Sequence, residues 1–251
     1  MKLFSSSEEF HVDSRNHGGA KYNVSSYRSH YDDAIQQLQR ESPIQYLECP
    51  SISLTGNLES GTTPISALRL RKSSRDFDED AYLSLEQLST LLVESYGAED
   101  GAERGLSYRR PIPTSGNLGS PELYVFCLRV CDIPPGIYHF NSIEKRLSQV
   151  RLGNFDDWLR HKVFFQPEHA RGSAVLILTS DFGRLRMKYG ERGYRLALLD
   201  AGHLSQTIYL LCAAMEIKVC ATAGFVDREL DDGLQIDGLR HASVLAITIG
   251  L

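Results

Sequence analysis

The chain has 251 residues, of which 42% are hydrophobic, and it carries a formal net charge of -5. This length and composition predict one large domain with a buried core, or a smaller domain with an extension. The mild acidic excess argues against a nucleic-acid-binding surface, which is usually basic. No apolar stretch approaches the roughly 18–20 residues of a membrane span, and the polar start is unlike a signal peptide. We therefore expect a cytoplasmic protein that binds neither membranes nor nucleic acid.

The cysteines indicate free thiols and no metal site. Their number is odd, they form no Cys-x-x-Cys pair, and most of them stand in apolar runs. Such thiols are typical of buried positions in a reducing compartment. The five are Cys49, Cys127, Cys131, Cys212 and Cys220.

Residues 1–60 are rich in Ser, Asn, Gly and charge, and we interpret them as an N-terminal extension. One helix is expected near residues 31–39, and residues 49–63 read as a linker or surface strap. Residues 61–251 are expected to form the main domain. Within it, Thr63 and Pro64 predict a helix that ends near residue 68 or 70. The capping-box pair Ser84 and Gln87 predicts a second helix over residues 84–96.

The middle and end of the chain alternate between strand and helix patterns. A helix over residues 192–215 is apolar almost all round, so we expect it to be buried, with Asp200, His203 and Gln206 as polar exceptions on one side. The elements lack regular βαβ alternation, which favours an α+β fold around a largely antiparallel sheet. The predicted strands are 123–130, 136–140, 147–150, 174–179, 219–223 and 243–249.

Residues 71–75 read Arg-Lys-Ser-Ser-Arg and follow the first capped helix. Three cations and two hydroxyls so close together can hold a phosphate by charge-assisted hydrogen bonds. The alternative is a solvated helix end, where cations also complement the helix dipole.

A second candidate is the proline-rich loop over residues 109–117. Gly116 would let a ligand approach the backbone, while Ser115 and Asn117 offer donors and acceptors suited to a planar heterocycle. An ordinary turn before the next strand remains the alternative.

Lys188 and Tyr189 are adjacent in a basic segment before the long helix. A lysine beside a tyrosine favours the phenolate, and a phenol tuned in this way can act as a general base. Surface cations flank many helices, so a structural role is the alternative. Two further candidates are Gln206 on the long helix and the small residues that include Ala223 and Gly224.

The order of these motifs resembles that of the nitroreductase-fold flavoenzymes over residues 60–251. More narrowly it is similar to the SagB-type azoline dehydrogenases, which oxidise peptide thiazolines and oxazolines to thiazoles and oxazoles. The residues of segment 184–206 that match are Lys188, Tyr189, Arg192, Gly193, Tyr194, Arg195, Gly202, His203 and Gln206.

The resemblance implies a three-layer α-β-α sandwich that forms a homodimer and binds FMN at the subunit interface. It implies Lys188 and Tyr189 as the catalytic pair. It further implies an azoline-containing precursor peptide as substrate, in biosynthesis of ribosomally made modified peptides, and a cyclodehydratase complex as the setting. The FMN-binding residues that it implies are Arg71, Lys72, Ser73, Arg75, Ser115, Asn117, Gln206, Ala223 and Gly224.

Two other functions stay open at this stage. An NAD(P)H-dependent nitroreductase or quinone reductase would share the FMN site but would not need the Lys-Tyr pair. A scaffold subunit without flavin is the alternative from another class, and the intact cation and Lys-Tyr motifs argue against it.

Overall fold

The computed structural model describes residues 28–40, 44–58, 61–101 and 108–251. Its centre is a seven-stranded sheet with the strand order β1-β6-β5-β4-β7-β9-β8, in which every neighbouring pair is antiparallel. The strands of this sheet are β1 (Ser51–Ser53), β4 (Pro121–Cys127), β5 (Gly136–Asn141), β6 (Arg146–Leu152), β7 (Ala174–Asp181), β8 (Lys218–Thr222) and β9 (His241–Gly250). A small separate hairpin is formed by β2 (Glu99–Asp100) and β3 (Tyr108–Arg109).

Helices cover both faces of the sheet, so the fold is an α-β-α sandwich. Alternation along β4 shows the two faces: Leu123 and Val125 enter one core, while Tyr124 and Phe126 enter the other. The helices are α1 (Arg28–Arg40), α2 (Pro64–Leu70), α3 (Leu85–Tyr96), α4 (Asp156–Trp158), α5 (Phe182–Tyr189), α6 (Arg192–Ala214) and α7 (Asp227–Leu234). Helices α3 and α6 fill the first face, and α7 with the turn after α4 fills the second. The predicted α+β class and antiparallel sheet are therefore confirmed.

The local signals placed most elements correctly. The Ser84 hydroxyl accepts from the backbone N–H of Gln87, whose side chain accepts from the N–H of Ser84, so the predicted capping box is confirmed. Thr63 caps α2 by accepting from the backbone N–H of Ser66. All six predicted strands are present within a few residues of their predicted ends. Helices α5 and α7 were not predicted, because both are short and mostly polar.

The prediction that the long helix is buried all round was wrong for this chain alone. One face of α6 packs on the sheet, but Leu198 and Leu199 are exposed, as are Gly202, His203 and Gln206. The three polar exceptions also do not share one environment, because Asp200 is buried. Among the described residues α6 alone has the length and hydropathy of a membrane span, yet it packs as the core helix of a globular domain.

Part of the N-terminal extension belongs to the same body. Strand β1 pairs with β6 at one edge of the sheet. Ile35 of α1 is buried beside Leu118 and Leu185, in a small core under the end of α5. All five cysteines are free thiols, as predicted.

Candidate active site

Tyr209 on α6 organises the segment that follows α2. Its phenol lies 3.1 Å from the Ser73 hydroxyl and accepts a 2.7 Å hydrogen bond from the backbone N–H of Ala221 on β8. The guanidinium of Arg71 lies over the same ring, 5.7 Å from its centre. The Tyr209 phenol, together with a 2.9 Å hydrogen bond from the Ser74 N–H to the Val219 carbonyl, thus fixes the 71–75 segment against the outer edge of β8.

The three cations of this segment remain available to an anion. Lys72 and Arg75 are exposed, and Arg71 is half-buried. Within the ranges that the structure describes, none of the three pairs with a carboxylate. Lys72 also lines a cavity of about 490 Å³, whose other residues include Arg69, Leu70, Tyr209, Cys212 and Lys218. Unpaired cations beside hydroxyls fit a phosphate group.

Arg75 acts on a buried histidine. Burial, reinforced by the positive charge of Arg75, lowers the pKa of His169 from 6.5 to about 4. The same guanidinium opposes the rise in pKa that burial causes in the Cys220 thiol. His169 is therefore neutral at physiological pH and adds no charge to the three cations of the 71–75 segment.

Ala223 and Gly224 follow β8 directly. Ala223 is exposed, and the Gly224 carbonyl accepts a 3.0 Å hydrogen bond from the N–H of Phe165. The Phe165 side chain is 70% exposed and lies beside Gly224, since a methyl group placed on this glycine would lie 3.7 Å from the ring. Sequence reasoning missed this aromatic neighbour of the predicted backbone contact.

The predicted loop around residues 115–117 is tied to α6 by Asp200. The Asp200 carboxylate accepts from the backbone N–H of Ser115 at 3.0 and 3.1 Å, and from the Ser115 hydroxyl at 2.9 Å. It also accepts from the Ser120 hydroxyl at 2.9 Å. Burial raises the pKa of Asp200, while these hydrogen bonds oppose the rise. The His203 ring approaches the Pro113 carbonyl at 3.3 Å, one turn further along α6.

The loop itself has unusual backbone geometry. Gly116 has a φ of +60° and Asn117 has a φ of +56°, both in the left-handed region. The Asn117 side-chain amide donates to the Tyr108 carbonyl at 2.8 Å, which satisfies it within the chain. Left-handed geometry is easy for glycine and tolerated by asparagine, so both residue types suit this turn.

Lys188 and Tyr189 end α5 and lie directly over Gly116. A methyl group on Gly116 would lie 2.5 Å from the Tyr189 phenol oxygen and 2.8 Å from the Lys188 Nζ. The Lys188 ammonium is 5.5 Å from the centre of the Tyr189 ring. Gly116 is also contacted by α1, where the Gln39 side-chain amide donates to the Gly116 carbonyl at 2.7 Å. The absence of a side chain at Gly116 therefore allows the Lys-Tyr pair to approach the loop.

The predicted site residues thus form two groups in one chain. The anchor end comprises residues 71–75 and 223–224 around Tyr209, and the loop end comprises residues 113–120 and 188–189 around Asp200. Nine positions of α6 separate the two organising residues, about 14 Å along the helix axis. Gln206 lies between these levels, but its side chain is exposed. The hydrogen bonds of Asp200 and Tyr209 were missed from the sequence, although an aspartate in an apolar helix was a usable signal.

Comparison with known proteins identifies the fold family. The family model described as "Nitroreductase family" matches residues 68–251, well over half of the chain. The chain belongs to the nitroreductase family. Membership makes it a nitroreductase-like oxidoreductase, in a family whose members typically bind a flavin.

Two relatives match this nitroreductase-family chain in sequence. A candidate nitroreductase, MJ1384 of Methanocaldococcus jannaschii, is 29% identical over 170 residues, which cover 66% of this chain and 81% of the relative. The microcin B17-processing protein McbC of Escherichia coli is 26% identical over 172 residues, covering 66% of this chain and 61% of McbC.

Solved structures share the fold over most of the chain. A candidate nitroreductase from Anabaena variabilis matches with a TM-score of 0.72 at 25% identity, over 84% of this chain but only 43% of its own. The Escherichia coli microcin synthetase McbBCD complex, with truncated pro-MccB17 bound, matches with a TM-score of 0.62 at 21% identity, over 98% and 91%. A candidate nitroreductase of Exiguobacterium sibiricum in complex with FMN matches with a TM-score of 0.54 at 14% identity, over 77% and 90%.

Proposed function

We propose that this chain is an FMN-dependent dehydrogenase that oxidises thiazolines or oxazolines in a ribosomally made peptide to thiazoles or oxazoles. The observation that carries the proposal is the placement of Lys188 and Tyr189 together over Gly116. A base is needed because aromatisation removes a proton from one ring carbon and a hydride from the next. The similarity to McbC supports this choice within the family.

The anchor end fits the phosphate of FMN. Arg71, Lys72 and Arg75 lack carboxylate partners among the described residues, and the Ser73 hydroxyl stands with them. We assign the flavin contacts to these four residues, to Ser115, Asn117 and Gln206, and to the backbone of Ala223 and Gly224. When bound, FMN would supply the two-electron acceptor that takes the hydride, with molecular oxygen as the final oxidant.

The protein's own part in the reaction is proton transfer and orientation. We assign removal of the ring proton to the Tyr189 phenol. The nearby Lys188 ammonium favours the phenolate, because an adjacent positive charge stabilises the anion. A base positioned in this way contributes on the order of 10²–10⁴-fold to rate.

The homodimer is also part of the proposal. Ile65 and Leu68 of α2 are 63% and 57% exposed, and Leu199 of the adjoining α6 is 59% exposed. Gly202 extends this face, and a methyl group there would meet no atom of the described residues within 4 Å. Glycine inside a helix costs about 1 kcal/mol relative to alanine, so a close neighbour from a second subunit would explain its presence.

The substrate and setting follow from the same similarity. We propose an azoline-containing precursor peptide as substrate and a cyclodehydratase as the enzyme that supplies it, in the cytoplasm. The Escherichia coli McbBCD structure, which shares this fold, is a microcin synthetase complex with truncated pro-MccB17 bound.

Mass spectrometry of an azoline peptide tests the activity directly. The expected product is lighter by two hydrogens per ring. With FMN bound, Tyr189→Phe and Lys188→Ala should lower the rate by about 10²–10⁴-fold. Tyr82→Phe and Lys162→Ala, both at exposed positions, are matched controls and should keep the parent rate. Parent rates in both site variants would overturn the assignment of the pair.

A second measurement tests the anchor. Arg71→Ala removes a charged hydrogen-bond donor, so FMN affinity should fall by about 10–100-fold. Arg228→Ala, an equal loss of charge on the exposed side of α7, should leave the affinity unchanged. An unchanged affinity in Arg71→Ala would contradict the phosphate site.

The runner-up is an NAD(P)H-dependent nitroreductase or quinone reductase. The higher identity to MJ1384 favours it. Rapid bleaching of the flavin by NADPH, together with no change in an azoline peptide, would select this alternative.

A further inference from the structure

Asp200 is a carboxylate in the middle of an apolar helix, and the assignments above give it no role. It is 2% exposed. Removing a charge from water is costly unless hydrogen bonds compensate, and Asp200 accepts from the Ser115 N–H, the Ser115 hydroxyl and the Ser120 hydroxyl. All these donors lie in one loop. The hydrogen bonds that offset the cost of burying the Asp200 charge therefore also fix that loop to α6.

Ser115 and Ser120 lie on either side of the residues of the loop that have left-handed backbone geometry. Gly116, Asn117 and Gly119 all have φ near +60°. Glycine loses more conformational freedom than other residues when it is ordered, so the two glycines make this stretch costly to fix. The short turn at residues 115–117 has no side-chain cap of its own. Asp200 on α6 therefore supplies side-chain hydrogen bonds that no residue of the turn itself provides.

The same loop packs against Lys188 and Tyr189, the proposed reacting pair. The Gly116 position is within van der Waals reach of both the Tyr189 phenol and the Lys188 ammonium. A displacement of the loop by about 1 Å would change the approach of both groups, and errors of that size can cost about 10²-fold in rate.

We propose that Asp200 is a positioning residue, which holds the loop of residues 115–120 against Lys188 and Tyr189 through the two serines. The inference rests on the proposed function in taking that pair as the reacting groups. The Asp200 carboxylate acts on this pair indirectly. It acts through the backbone of Ser115 and the hydroxyl of Ser120.

The principal variant is Asp200→Asn, which keeps the shape of the side chain but turns one acceptor into a donor. At saturating FMN we expect kcat to fall about 10–100-fold while KM changes less than about 3-fold. Asp232→Asn, on an exposed turn of α7, is the matched control and should keep both constants. A role confined to folding would lower the melting temperature and leave kcat unchanged, and that result would overturn the proposal.

Hydrogen exchange on the peptide that covers residues 115–120 gives a readout independent of turnover. The Ser115 amide should lose protection in Asp200→Asn, with and without added FMN. Unchanged protection would overturn the inference even if the azoline is oxidised. Lost protection in a protein that never oxidises an azoline would instead overturn the proposed function alone.

Should Asp200→Asn fail to fold, Ser120→Ala and Ser115→Ala carry the test, because each removes donors at one end of the loop. We expect each to lower kcat by about 3–10-fold. An unchanged kcat in both serine variants would overturn the proposal. Where Asp200→Asn does fold, neither serine substitution should lower kcat further in that background, because the acceptor has already changed. Additive effects would show that the serines act separately from Asp200.

Discussion

The anchor end and the loop end of the candidate site are built in different ways. At the anchor end, the 71–75 segment carries cations without carboxylate partners among the described residues, and it is held by the Tyr209 phenol and one backbone hydrogen bond to β8. At the loop end, a buried carboxylate, a left-handed turn and two helix ends are packed closely around Gly116. Because the anchor end offers charges to a ligand and the loop end positions the Lys-Tyr pair, changes at the anchor end should affect ligand affinity, whereas changes at the loop end should affect turnover.

The largest expected effect comes from Gly116→Ala. The new methyl group would overlap the Tyr189 phenol and the Lys188 ammonium, in a residue whose φ is +60°. We expect turnover at saturating FMN to fall at least about 10²-fold. Unfolding free energy should fall by about 1–3 kcal/mol.

Gly61→Ala is the control, because a methyl group there meets no atom within 4 Å in the part of the chain that the structure describes. Turnover and thermal unfolding are measured together on both variants. Turnover of Gly116→Ala within a factor of two of the parent would remove the loop from the catalytic assembly.

A second effect concerns stability near the anchor end. The pKa of His169 is lowered to about 4 in the folded chain from 6.5, so the unfolded chain binds more protons between these values. Stability should therefore be complete above about pH 6.5 and decline towards pH 4, by about 1–3 kcal/mol for this residue.

Urea unfolding across this range, compared with His169→Gln, measures the contribution. The variant should lose part of the pH dependence, whereas His161→Gln, on an exposed turn, should keep all of it. Since Arg75 adds to the shift, Arg75→Ala should move the His169 pKa upward in an NMR titration. Equal slopes in parent and His169→Gln would contradict the prediction.

The smallest effect should come from Tyr209→Phe. It removes the hydrogen bonds to Ser73 and to the Ala221 N–H, worth about 1–2 kcal/mol together. We expect FMN affinity to fall about 3–10-fold, with turnover at saturating FMN changed less than about twofold. Fluorescence titration measures the first quantity, and the exposed Tyr82→Phe serves as control. A larger loss of turnover than of affinity would contradict the assignment of ligand affinity to the anchor end and turnover to the loop end.

The sequence predicted those features that depend on neighbouring residues. The caps at Thr63 and Ser84 and the strand patterns rely on short-range hydrogen bonds and alternation, so they could be read directly. The proximity of Lys188 and Tyr189 also follows from their adjacency.

Contacts between distant parts of the chain could not be read in this way. Asp200 meets Ser115 across 85 positions, and Gln39 meets Gly116 across 77. The sequence showed that Asp200 needs partners, but not which ones. The exposed face of α6 likewise could not be foreseen, because apolar residues look alike whether they pack within one chain or await another surface.

The packing of the N-terminal segment has a practical consequence for fragment design. A recombinant piece that starts at residue 61 would lack β1 and would leave β6 as a bare sheet edge, a common starting point for aggregation. It would also lose the Gln39 amide that caps the Gly116 carbonyl. Low yield or clumping of such a shortened protein would reflect the missing residues 28–58, rather than any defect in the nitroreductase-family core.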